Sequence, residues 1–208
     1  MKKVLEIGGF ISGAILVAFG VAVIALGASG RSTVNSSLKA EQITGSPDMT
    51  PALIKVAAAE AGLKNVALPT CSVAGKAITT GANARCFAQY MRIHALEASG
   101  GLPYSQMPRF ATADGKGTND AAAALQANGQ PVSNGARNTW VTETALSTAL
   151  NMSYMASQLA LFSIVVGLAL LLTGIGFIVL DYVALHVRRE KKATEVASAV
   201  KSRTAALA

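Results

Sequence analysis

The sequence predicts an all-α membrane protein, in which two transmembrane helices flank a small disulfide-tied helical extracytoplasmic domain and the second span extends outward as a long helix. Three observations predict this class. Two apolar runs without an internal charge, Ile7 to Ala28 and Leu159 to Leu180, lie towards opposite ends of the 208-residue chain. Lysines and arginines flank the outer end of each run, and the chain's two cysteines both fall in the more polar stretch between the runs. A helix needs about 20 residues at ~1.5 Å rise to cross a hydrocarbon core, and each run meets that length.

The expected division is an N-terminal segment 1–6, a first span 7–28, an extracytoplasmic domain 29–158, a second span 159–182 and a basic tail 183–208. Lys2 and Lys3 precede the first run, and Arg188, Arg189, Lys191 and Lys192 follow the second. Basic residues close to span ends stay on the cytoplasmic side, so both termini are expected in the cytoplasm of a multi-pass plasma-membrane protein. An uncleaved signal anchor is the favoured reading of the first run. A secretory signal cleaved near Ala25-Leu26-Gly27-Ala28 is the alternative, although the run exceeds the usual apolar core of about 7–15 residues. The formal net charge of +7 follows the tails and suits attraction to anionic headgroups at Arg188, Arg189, Lys191 and Lys192. No basic patch interleaved with aromatics points to nucleic acid.

Small residues recur every seven positions on both runs: Gly13, Gly20 and Gly27 on the first, Ala160, Gly167 and Gly174 on the second. Apolar side chains gain little by leaving lipid for one another, so helices pair where small residues let backbones approach. Antiparallel pairing would set Gly20 near Gly167, Gly13 near Gly174 and Gly27 near Ala160. Gly9 with Gly13 offers a further small-residue face for a homo-oligomer.

Between the runs, Arg31 to Gln42 reads as a continuation of the first helix or a linker. Thr50 as N-cap, Pro51 at the first helical position and Gly62 past the end predict a helix with Leu53, Val56 and Ala57 on its packed face. A turn-rich passage bracketed by Cys71 and Cys86 comes next. A second helix is predicted over Ala82 to Ala98, ended by Gly100-Gly101, with Phe87, Met91 and Ala95 buried beside Tyr90, Ile93 and Leu96. The stretch 101–135 reads as a flexible loop whose single helical fragment is AAAALQA. From about Asn138 one helix is predicted to run into the second span, packed through Val141, Ala145, Thr148, Met152, Met155 and Leu159. It has no breaker before the cytoplasmic tail. Trp140 is expected to pack within the outer domain.

Candidate chemistry is sparse. Cys71 and Cys86, about fifteen residues apart and expected outside, read as a structural disulfide contributing on the order of 3 kcal/mol. Redox or metal chemistry is disfavoured because there is no CxxC spacing. His94 lies one turn from Tyr90 and three residues before Glu97, whereas His186 lies beyond the second span. The carboxylates Glu41, Asp48, Glu60, Glu97, Asp114, Asp120 and Glu143 show no paired spacing. Asp181 reads as an interfacial residue, and Asp114-Gly115-Lys116-Gly117 lacks Walker spacing. No catalytic, cofactor-binding or metal residues are expected.

The motifs LPTCSVAGKAITTGANARCFAQYMRIHALEA, GQPVSNGARNTWVTETALSTALN and SYMASQLALFSIVVGLALLLTGIGF, with the opening span, resemble a group of uncharacterised actinobacterial two-span membrane proteins. Such sequences often carry the label "aromatic ring-opening dioxygenase". The resemblance implies architecture and lineage. It does not bring that activity, which needs iron held by two histidines and a carboxylate, because His94 and His186 are expected on opposite sides of a membrane. The expected function is that of a non-enzymatic envelope scaffold, adaptor or accessory subunit, whose partners are the lipid bilayer and another membrane protein or itself. A ligand sensor signalling through a partner is the alternative, and an enzyme ranks last.

Overall fold

The computed structural model describes residues 2–205, and the side chains of residues 2–6, 196 and 199–205 fall outside the description. The charges of Lys2 and Lys3, on which part of the predicted orientation rests, therefore lie outside the described residues. Four α-helices are described: α1 (Lys2–Ala40), α2 (Pro51–Glu60), α3 (Gly81–Ala98) and α4 (Gly135–Ala205). A short 3-10 turn, Tyr104–Gln106, and a two-stranded hairpin of β1 (Gln126–Ala127) and β2 (Gln130–Pro131) complete the elements. The chain divides into two compact units, 1–29 with 159–208 and 30–158.

The first unit pairs the N-terminal part of α1 with the C-terminal part of α4. Both helices are long and apolar enough to cross a membrane, with mean hydropathy of 2.5 and 2.6 in their richest windows. Most side chains here face outward, as on a helix pair solvated by lipid (Phe19 62%, Phe162 65%, Leu172 68% exposed). The inward seam is made of glycines. A Cβ built on Gly13 would stand 2.8 Å from the Gly174 carbonyl oxygen, and one on Gly174 would stand 2.6 Å from that of Gly13. Gly20 and Gly167 face each other in the same way at 2.8 Å, and Gly27 lies against the Ala160 carbonyl at 2.7 Å. This reciprocal backbone approach is the geometry in which Cα–H groups meet carbonyl oxygens across a close-packed helix pair. Gly9 is covered by the Asp181 carboxylate.

The second unit is built around α3. Its core holds Leu38 of α1, Met49, Ile54 and Ala58 around α2, Val73 and Ile78 of the connecting loop, Tyr90 and Ile93 of α3, and Leu150 of α4. Thr50 caps α2 by accepting from the Leu53 N–H at 3.3 Å, and Gly62 succeeds its end at φ +66°. Thr80 caps α3 by accepting from the Asn83 N–H at 3.3 Å, which puts the start of α3 at Gly81. The Gly101 N–H donates to the Leu96 carbonyl at 2.7 Å and closes its far end. The connecting loop is fastened twice. Gly45 lies so close to the Val73 carbonyl that no Cβ fits, and the Cys71–Cys86 disulfide, with Cα atoms 6.1 Å apart, ties the loop to α3.

The structure corrects three packing expectations. On α2 the buried side chains are Ile54 and Ala58, while Leu53 and Val56 are about half exposed (51% and 54%). On α3 Tyr90 and Ile93 are fully buried, whereas Phe87 and Met91 are half-buried. On α4 the predicted stripe is turned outward: Val141, Met152, Met155 and Leu159 are each more than half exposed. Within unit 30–158 the inward positions of α4 are Glu143, Ser147 and Leu150, with Tyr154 and Ser157 half-buried. Two sets with 3–4 spacing exist on this helix, and the neighbouring α3 selects the polar one. Gly81 leaves room for Ser157 and the Tyr154 backbone, and Arg92 of α3 takes Glu143 as its partner at 3.2 Å.

The stretch 101–135 has a structure of its own. Phe110 and Thr118 exchange N–H···O bonds of 2.9 Å in both directions, and Asn128-Gly129, at φ +52° and +74°, turns β1 into β2. Both residues need positive φ in such a two-residue turn, which is why Asn-Gly suits it. AAAALQA is therefore not helical. Residues 121–124 form bends, and Gln126–Ala127 is a strand. Arg137 anchors this region by stacking over Tyr104 at 4.0 Å and donating to the Met107 carbonyl at 2.9 Å.

Candidate functional site

Within unit 30–158, α3 and the first part of α4 lie side by side in opposite directions. The pairs Gly81 with Ser157, Arg85 with Tyr154 and Arg92 with Glu143 define the seam. Arg85 and Arg92, seven residues apart on α3, each lay a guanidinium over an aromatic ring of α4, Tyr154 and Trp140, both at 4.7 Å. Such cation–π contacts contribute about 0.5–1 kcal/mol at exposed sites.

Along this seam runs a groove with two lobes that meet at Met91 and Leu146. The apolar lobe, about 520 Å³, is walled by Leu38, Ile43, Phe87, Met91, Leu146 and Leu150, with Ser37, Glu41 and Ser153 among its polar lining. The polar lobe, about 460 Å³, is walled by His94, Asn138, Thr139, Thr142 and Glu143 beside Met91 and Leu146. Phe87, Met91 and Ala95 share helical spacing on α3, and Thr139, Thr142, Leu146, Ala149 and Ser153 do so on α4, so the lobes succeed each other along one face.

Glu143 dominates the polar lobe. Its side chain is 4% exposed, and Oε2 pairs with Arg92 at 3.2 Å and accepts from the Thr144 hydroxyl at 3.4 Å. Oε1 is buried without a hydrogen-bond partner, a costly arrangement for an acceptor. His94 stands between carboxylates, with Nδ1 2.9 Å from Glu97 Oε2 and Nε2 3.1 Å from Asp48 Oδ2. That arrangement joins α3 to the turn before α2. Burial, and then the Asp48 charge, push the Tyr90 hydroxyl pKa up, and the hydroxyl donates to the Cys71 carbonyl at 2.6 Å. At Asp114 the Thr112 hydroxyl and the Lys116 N–H hold the carboxyl below its usual range.

The structure joins Cys71 to Cys86 and brings Gly13, Gly20 and Gly27 onto Gly174, Gly167 and Ala160. Arg188, Arg189, Lys191 and Lys192 lie on exposed positions of α4. Among the described residues no group of three or more histidine, cysteine or acidic side chains is placed to hold a metal. Sequence reasoning missed Arg85, Arg92 and the groove. The legible signal was two arginines seven residues apart on one helix face, with no partner assigned to them. Comparison with protein-family models, curated proteins and solved structures returns no match.

Proposed function

We propose that this chain is a non-enzymatic integral membrane protein of the cell envelope, a scaffold, adaptor or accessory subunit kin to the two-span proteins its motifs resemble. In this reading α1 and α4 cross the plasma membrane with both termini cytoplasmic. The disulfide-tied unit then faces outward, and the basic cluster from Arg188 to Lys192 rests on anionic headgroups, worth about 1 kcal/mol per charge. The observation that carries the proposal is the outward apolar stripe of α4. Val141, Ala145, Thr148, Met152 and Met155 are all exposed and repeat with the 3–4 spacing that seats one helix against another. A concavity of about 520 Å³ between Tyr104, Trp140 and Val141 lies at its upper end. The partner this surface fits is an apolar helix of another membrane protein.

A photo-crosslinking residue placed at Met152 or Met155 in intact cells tests it. One discrete adduct is expected, lost when Val141→Glu disrupts the stripe and absent when the label sits at Lys116. An adduct of twice the chain mass would replace the partner with a second copy. No adduct at either position would overturn the docking role. A second reading, a ligand sensor signalling through a partner, is favoured by the groove between α3 and α4.

A further inference from the structure

We propose that the groove between α3 and α4 binds a small amphipathic amine, with the apolar body between Phe87 and Leu150 and the protonated nitrogen at Glu143. This assignment rests on the ligand-sensor reading and gives its ligand a chemical class. Three observations carry it. Both lobes are mainly apolar, and the lobe at the Glu143 end adds His94, Asn138, Thr139, Thr142 and Glu143 to its wall, so an occupant reaching both meets most of the polar side chains at that one end. The residues walling them include two carboxylates, Glu41 and Glu143, and no lysine or arginine among the described residues. Glu143 keeps one buried carboxylate oxygen without a hydrogen-bond partner, an acceptor that an ammonium group satisfies with a charge-assisted bond.

Each alternative fits less well. An anion would meet both carboxylates with no lysine or arginine lining the groove. A wholly apolar molecule would leave Oε1 unpaired and cover it further. Arg92 holds Glu143 through Oε2, so the second oxygen is oriented before anything binds, and Glu143 is part of the wall of the polar lobe.

The protein carries its own reporter. Trp140 is the single tryptophan and lies under the guanidinium that pairs with Glu143, so an amine competing for that carboxylate alters the indole's surroundings. The experiment titrates the full chain, in nanodiscs of zwitterionic phosphatidylcholine, with 2-phenylethylamine, 2-phenylethanol and 3-phenylpropionate while Trp140 emission is followed. The amine is expected to give a saturable change at least about tenfold tighter than the other two, equal to ~1.4 kcal/mol. Glu143→Gln, which keeps a hydrogen bond to Arg92, should remove that preference. Ala149→Phe, at an exposed position of the apolar lobe, should weaken the amine by about tenfold without endangering the fold. An intact Cys71–Cys86 disulfide and an unchanged melting curve verify folding of both variants. Equal binding of all three probes would overturn the amine class and leave the ligand site standing. Saturation by none of them would overturn both. Amine binding unaffected by Ala149→Phe would refute the placement of the apolar body.

Discussion

At Tyr90 a single hydroxyl connects the core to the disulfide. The ring is fully buried, and its donation to the Cys71 carbonyl holds the connecting loop on α3 beside the covalent bridge. Tyr90→Phe leaves that carbonyl short of a donor and should cost about 1 kcal/mol in denaturant unfolding. A pH signature accompanies it. The pKa of Tyr90 is raised in the folded chain, so the unfolded state releases its proton first as pH climbs. The stabilisation is whole below the ordinary tyrosine value of about 10 and declines as pH rises through the raised one. Wild type should therefore lose stability through that alkaline window more steeply than Tyr90→Phe. Parallel slopes would contradict the assignment. Glu143 also owes its character to a distant residue. In the sequence it is one of several scattered acids, and only Arg92, brought to it by α3, makes it a buried and oriented group.

At the scale of elements, the paired stretches of α1 and α4 depend on absent side chains. Every glycine of the seam faces a backbone carbonyl or nitrogen at a distance no Cβ tolerates. A leucine at Gly20 must push the helices apart by the width of a side chain, and, in the proposed membrane setting, contact with lipid does not make good the lost close packing. Cysteines placed at Ile24 and Ile164, which flank the seam beside Gly167 and Gly27, should form a disulfide readily in the otherwise native chain. Gly20→Leu should reduce that cross-linking several-fold. Unchanged yield would show that the glycine seam does not hold the pair. The heptad of small residues was legible because seven-residue spacing keeps one face towards a partner. The hairpin in 101–135 was legible too, in Asn128-Gly129. It was overlooked because β1 and β2 have two residues each, too few for alternation to register.

For the whole molecule, the proposed arrangement makes a directional claim. With both termini in the cytoplasm, epitope tags at either end should resist protease added to intact cells. A protease site inserted at the Gly115–Gly117 turn should be cut. Cys71 and Cys86 should take up a maleimide only after reduction, and digestion of either tag on sealed cells would invert the topology.

The sequence alone determined the helical class, the two apolar runs, the cap at Thr50 and the small-residue register. Each depends on neighbours no more than about a turn or two away, or on composition. Tertiary structure decided which face of each helix is buried. On α4 an apolar and a polar set share the same spacing, and hydrophobicity alone selects the first. The second is buried because α3 offers a glycine gap to Ser157 and a guanidinium to Glu143. Those partners lie far apart along the chain, beyond any local pattern, and from them the groove, its unpaired carboxylate oxygen and the outward apolar stripe all arise.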